Sequence, residues 1–120
     1  MSIFILATRG RTQYETVTLY SGGTTEFELG PSDEIRIKIG YDGATPLLDL
    51  VSNTPSALGS TVSDTNPCEL RLDRADLTAM KAGVYDIEAN VVDATDQDDI
   101  KAADKGVFVL LESQGGDVGL

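Results

Sequence analysis

Histidine and tryptophan are absent from this 120-residue sequence, and cysteine occurs once. Without histidine, the chain lacks the commonest general base and the most frequent ligand of transition metals, and the usual nucleophile triads cannot form. Without tryptophan and with few other aromatic residues, it also lacks a platform for the sugar rings that paired carboxylates would hydrolyse. We therefore expect no enzymatic activity and no cofactor.

Basic residues are also scarce. The chain has 9 lysines and arginines against 20 aspartates and glutamates, which gives a formal net charge of −11. Nucleic acid and anionic lipid carry the same sign, so binding to either through a broad electric field is disfavoured. No apolar run reaches the length of a membrane-spanning helix, and the segment 3–7 is too short for the core of a signal peptide. The expected partner is protein, with no nucleic acid and no membrane.

The single cysteine, Cys68, cannot form a disulfide within the chain. A chain of this size buries enough apolar surface to fold without covalent cross-links. We therefore expect one domain that does not depend on an oxidising compartment, which fits an intracellular origin better than secretion. Cys68 has no histidine or second cysteine to activate it, and we expect it to be a small packed side chain.

The stretch 69–93 shows the most informative pattern, and it predicts a strand, one helical turn and a second strand. Leu70 and Leu72 alternate with polar neighbours, as in a strand with one buried face. Asp73 then fits the N-cap of a short helical turn near 74–82. Asp76, three positions later, fits the second half of a capping box.

The second strand of this region begins at Gly83, a residue that tolerates a positive φ and is expected to release the chain from the turn. Tyr85 follows two residues later on the apolar face of the strand. A Gly-x-Tyr sequence at the start of such a strand resembles the tyrosine corner of immunoglobulin-like sandwiches. That resemblance implies a buried ring whose hydroxyl bonds to upstream backbone. Asp73, Gly83 and Tyr85 are thus the predicted structural corner.

The remaining strands are short and separated by turn residues. Apolar alternation or continuous apolar runs predict further strands near 2–8, 13–20, 25–29, 34–40, 45–51 and 106–111. The polar stretch 52–67 and the acidic stretch 93–104 are expected to be exposed loops.

This pattern predicts an all-β fold, an Ig-like Greek-key β-sandwich of about seven strands with one short helical turn near 74–82. The chain 1–120 is expected to form a single domain. It would have an N-terminal strand or arm at 1–8 and a glycine-rich C-terminal tail at 113–120.

The acidic stretch 93–104 contains carboxylates of the kind that Ca²⁺ favours on a flexible loop. The weak candidate ligands are Asp93, Asp96, Asp98 and Asp99. Their spacing lacks the glycine at the sixth position and the glutamate at the twelfth that an EF-hand loop requires. We therefore predict a solvated charged loop and no metal site. A glycan- or Ca-binding module that uses this loop stays an alternative function.

The first and last predicted strands are apolar on both faces. In an immunoglobulin-like topology these strands are neighbours, so Phe4, Leu6, Phe108 and Leu110 are expected to form one patch on the outer face of a sheet. Two interpretations of this patch are open. Either a loop or the C-terminal tail covers it, or it is an interface with another subunit.

Several segments carry a resemblance to a known group of proteins, namely Leu70-x-Leu72, 75–77, 83–88 and 106–109. They resemble the second half of small Ig-like sandwich proteins of tailed-phage virions. Proteins of this kind serve as head decoration or cement proteins, or as baseplate and fibre-attachment modules.

The resemblance implies a non-enzymatic phage virion structural protein, assembled in the cytoplasm of the bacterial host. Its expected function is that of a capsid decoration or cement protein that binds neighbouring capsid subunits. A tail, baseplate or fibre-attachment adaptor is the alternative. The implied partner is the major capsid protein or another virion subunit, and the protein itself is expected to form a homo-oligomer, for which a trimer is one arrangement.

Overall fold

The computed structural model describes residues 3–22, 24–52 and 54–112. Within these ranges the chain forms ten strands and one helix, which confirms the predicted all-β class. The strands are β1 Ile3–Thr8, β2 Gln13–Val17, β3 Tyr20–Ser21, β4 Thr25–Glu26, β5 Asp33–Gly40, β6 Leu48–Val51, β7 Thr61–Val62, β8 Cys68–Leu72, β9 Gly83–Asp93 and β10 Asp96–Leu111, and the helix is α1 Arg74–Ala79. The predicted tail 113–120 and the first two residues of the predicted arm lie outside the described residues.

Two main sheets form the sandwich. The larger has the strand order β1-β10-β9-β5-β6, the smaller has the order β2-β8-β7, and β3 pairs with β4 in a short hairpin. Neighbouring strands run antiparallel, except that β1 and β10 are parallel. The chain crosses between the two main sheets after β1, between β2 and β5 by way of the β3–β4 hairpin, after β6 and after β8. Such crossings are typical of a Greek-key sandwich.

The core lies between the two sheets and is mostly aliphatic. Ile35, Ile37 and Ile39 of β5 face Leu70 and Leu72 of β8 from the opposite layer, and all five are fully buried. Alternation with charged residues put these side chains on one face of each strand, since successive residues of a strand point to opposite sides.

Cys68 begins β8 and is buried in the same core. Burial raises the pKa of its thiol to about 11. The thiol is therefore neutral at physiological pH, which fits a packing role rather than a reactive one.

Helix α1 is held in place by two acidic side chains. Asp73 caps it, since its carboxylate accepts a hydrogen bond from the N–H of Ala75 at 2.9 Å. Asp76 does not complete the predicted capping box. Its carboxylate accepts hydrogen bonds from the hydroxyls of Ser56 and Ser60 instead, and these bonds tie the loop before β7 to the helix. Within the described ranges, no helix has the length and apolar character that a membrane crossing needs.

The acidic stretch 93–104 was predicted to be a loop, and this prediction is wrong. β10 begins at Asp96, so most of the stretch pairs with β9 in a long hairpin. The pairing is irregular between Asp96 and Ala102, where the register shifts. Val92 and Ala102 are buried in this part of the hairpin. Pairing with β9 thus extends a strand whose own polar composition favours a loop.

Candidate binding face

The outer face of the larger sheet is apolar at its β1 end. Along β1, the side chains of Ile3, Ile5 and Ala7 face the core. Phe4 and Leu6 alternate with them and point outward, where they are 65% and 49% exposed. One exposed apolar side chain is normal on a protein surface, but a contiguous apolar patch is informative.

Three more apolar side chains extend this surface across the neighbouring strands. Val84 of β9 is 64% exposed, and Val107 and Leu111 of β10 are also exposed. The register places Phe4 beside Val107, and it brings Leu6 and Val84 into one row, two strands apart. We call these five side chains the apolar face.

Phe108 and Leu110 do not belong to the apolar face, so the predicted four-residue patch is wrong in this respect. Both side chains are buried, because the register pairs Phe108 with Ile5 and Leu110 with Ala7, which face the core. Paired residues on neighbouring strands point to the same side of a sheet. Both strands are apolar on both sides, so alternation alone could not show which residues pair.

Sequence reasoning missed Val84, Val107 and Leu111. For Val84 a signal was present, because it alternates with Tyr85, which was expected to point inward. The outward direction of Val107 and Leu111 can be inferred only if Phe108 is known to point inward. The direction of Phe108 in turn depends on the pairing of β10 with β1. The extent of the apolar face was therefore only partly readable from the pattern.

Charged groups border the apolar face. At one end, Arg9 Nη1 lies 2.6 Å from Glu112 Oε1, and its Nη2 donates to the carbonyl oxygen of Thr78. On the side of β9, Asp86 pairs with Val107 in the register, and its carboxylate accepts a hydrogen bond from the N–H of Asp42. An apolar centre with a polar rim is the usual composition of a surface that binds protein.

The predicted corner supports β9 beneath this face. Tyr85 is buried, and its hydroxyl donates to the carbonyl oxygen of Lys81 at 2.5 Å. Its ring lies between Tyr41 and Phe108, with centroid distances of 5.0 and 6.3 Å. Burial raises the pKa of Tyr85 above its usual value. The hydroxyl therefore stays protonated and can donate to the backbone.

Of the other two corner residues, Asp73 has its predicted role as the N-cap of α1. Gly83 does not adopt a positive φ; it is the first residue of β9. The chain leaves α1 through Met80, which is extended with φ −95° and ψ 149°. The helix therefore ends without a left-handed glycine.

The four aspartates considered as calcium ligands are spread along the hairpin. Asp93 Oδ2 lies 3.5 Å from the ammonium nitrogen of Lys101, and Asp96 accepts a hydrogen bond from the N–H of Asp98. Asp98 and Asp99 are exposed. In the part of the chain that the structure describes, no group of three or more histidine, cysteine, aspartate or glutamate residues is arranged to hold a metal ion.

A partly buried ion pair lies near the turn end of the hairpin. The carboxylate of Asp33 accepts hydrogen bonds from the ammonium of Lys101 and from the N–H of Gly30. The bond from Lys101 holds the pKa of Asp33 below its ordinary value, and Asp33 in turn raises the pKa of Lys101. The pair ties β10 to the start of β5.

Neither a scan against protein-family models nor a search of curated proteins finds a match to this chain. The apolar face is thus the main structural guide to what the protein does.

Proposed function

We propose that this protein is a non-enzymatic structural subunit of a tailed-phage virion, and that it decorates the capsid by binding neighbouring capsid subunits through the apolar face. The observation that supports this function best is the contiguity of the face. Five large apolar side chains from three adjacent strands lie together in solvent. The choice of a phage capsid as the assembly is supported by the segments that resemble small Ig-like virion proteins.

The size of the apolar face limits how tightly one copy can bind. Its exposed area is on the order of 400 Å², within the range of the largest patches on single proteins. At roughly 25 cal/mol per Å², its burial contributes about 10 kcal/mol before the cost of association is subtracted. That cost is itself about 4–15 kcal/mol. One copy would therefore bind weakly, and a homo-oligomer that engages several capsid subunits at once would bind far more tightly.

The charge of the chain suits the same role. A net charge of −11 keeps the free protein soluble before it docks. The apolar face is free of charged side chains at its centre, so docking there does not require a carboxylate to be buried.

A matched pair of variants tests the face. Leu6 lies on it and Leu58 lies in a loop elsewhere, and both side chains are 49% exposed. Leu6→Asp should weaken co-sedimentation with particles that lack the protein by about tenfold or more, because the new charge would be buried without a partner. Leu58→Asp should bind as the wild type does. Circular dichroism should show that both variants are folded.

Two results would refute the proposal. Equal attachment of the two variants would show that the apolar face is not the docking surface. Mass spectrometry of purified particles from the phage that encodes the protein should find it in a fixed ratio to the major capsid protein, and its absence from them would contradict the virion role.

A further inference from the structure

The sandwich has an open side between β1 and β2. Each of these is the edge strand of its sheet, so one side of its backbone pairs with no other strand among the described residues. A groove of about 270 Å³ lies between the two strands. An unpaired strand edge is a template on which another extended segment can add.

The groove combines apolar and acidic side chains. Phe4 contributes exposed apolar surface, the buried side chains of Ile3, Ile5 and Val17 lie behind it, and Glu15 and Asp104 contribute carboxylates. Such a lining fits a strand that presents apolar side chains in alternation with basic ones, since successive residues of a strand point to opposite sides.

The two carboxylates have only neutral partners. Glu15 accepts a hydrogen bond from the side-chain amide of Gln13, and Asp104 accepts one from the N–H of Lys105. Within the described ranges, neither forms an ion pair with a lysine or arginine. Both carboxylates are therefore available to a basic ligand.

The edge of β1 lacks the features that normally prevent pairing. Natural edge strands are protected by charged side chains, proline or bulges. The six residues Ile3–Thr8 include no charge and no proline, and their register with β10 is continuous. An edge of this kind is expected to be covered by a partner in the working assembly.

We propose that an extended segment of the partner subunit adds to β1 as a new edge strand, with apolar side chains in the groove and basic side chains beside Glu15 and Asp104. The inference rests on the proposed function, because it specifies which kind of segment of the capsid partner binds the protein. Charge favours such a partner over a second copy. Each copy carries −11, and β1 of a second copy brings no basic side chain to Glu15.

A peptide selection tests the added strand, and it does not require the partner to be identified. A displayed library of ten-residue peptides, with random apolar residues alternating with random polar ones, is selected on the immobilised full chain. Lysine or arginine should be enriched at the polar positions. Binding of a selected peptide should weaken by about tenfold or more from low to high salt, because salt screens the attraction between the basic side chains and two carboxylates that are only partly buried. Hydrogen exchange should show new protection on β1.

A charge-matched pair of variants locates the site. Glu15→Lys places a like charge beside the peptide and should weaken binding by about tenfold or more. Asp98→Lys makes the same change of charge on the exposed hairpin and should leave binding within about threefold of the wild type. If Glu15→Lys does not fold, Glu15→Gln provides the same comparison against Asp98→Asn.

The proposal is overturned if the library yields no binder, if the selected peptides lack basic residues, or if protection appears on another edge. Sedimentation of the protein alone should show no dimer that protects β1; such a dimer would make a second copy the occupant. Val84→Asp, on the apolar face and outside the groove, should block particle attachment and leave peptide binding unchanged. If no peptide binds but Leu6→Asp still blocks attachment to particles, the added strand is refuted and the proposed function is not.

Discussion

Replacement of Gly106 by alanine tests how β1 is held on the sandwich. A Cβ atom at this position would lie 1.7 Å from the carbonyl oxygen of Ile3, and 2.5 and 2.6 Å from its carbonyl carbon and its nitrogen. All three are backbone atoms, so no change of rotamer relieves the overlap. The start of β1 would have to move from β10 by on the order of 1.5 Å to reach an ordinary contact distance.

The cost of that movement follows from what β1 loses. Ile3 is buried at this end of the strand, and a shift of the backbone exposes it. The burial of an isoleucine side chain contributes about 1.5–3 kcal/mol, and each hydrogen bond that breaks costs about 1 kcal/mol. We therefore expect Gly106→Ala to lower the free energy of unfolding by about 2–4 kcal/mol.

Denaturation by urea, followed by circular dichroism, measures this loss. Gly83→Ala is the matched control, because nothing lies within 4 Å of the added Cβ atom. The control should be neutral, or stabilising by up to about 1 kcal/mol through its effect on the unfolded chain. If the two variants unfold at the same urea concentration, the close parallel pairing of β1 with β10 is refuted.

Four further predictions use similar measurements. Tyr85→Phe should cost about 1 kcal/mol or somewhat more, because the hydrogen bond from the Tyr85 hydroxyl to the carbonyl oxygen of Lys81 is lost. A change within error of zero would contradict the predicted role of the corner. Phe108→Ala should lower the free energy of unfolding by about 3–5 kcal/mol, because a buried ring is lost. Unchanged stability would contradict the burial of Phe108. The pKa of Asp33 is lowered by its bond from Lys101, so its stabilisation is complete above its ordinary value of 3.8 and is lost as the pH falls through the folded-state pKa. Unfolding of Asp33→Asn should therefore depend less on pH below 3.8 than unfolding of the wild type, and identical pH profiles would contradict the ion pair. The melting temperature should be the same in millimolar Ca²⁺ as in chelator, since the described part of the chain has no group of three or more candidate ligands arranged to hold a metal ion. A rise of many degrees with Ca²⁺ would show a site.

The local sequence pattern was sufficient to predict a strand and its buried face wherever the other face of the strand is polar. The alternation of Ile35, Ile37 and Ile39 with charged residues defines β5 and its inner face, and the structure begins that strand one residue earlier than predicted. The N-cap at Asp73 was readable for the same reason, because a cap depends on a few neighbouring residues. Burial of Tyr85 and its bond to upstream backbone also followed from a short local sequence.

Tertiary structure alone decided the features that depend on pairing between distant segments. β1 and β10 are apolar on both sides, so the register between them determines that Phe4 is exposed and that Phe108 is buried. A shift of one residue would exchange the two faces, and local sequence does not prevent it. The acidic hairpin is a similar case, because β9 supplies the hydrogen-bonding partners that make 96–104 a strand. The groove between β1 and β2 forms because the edges of the two sheets lie next to each other there. Neither strand's own sequence determines that arrangement.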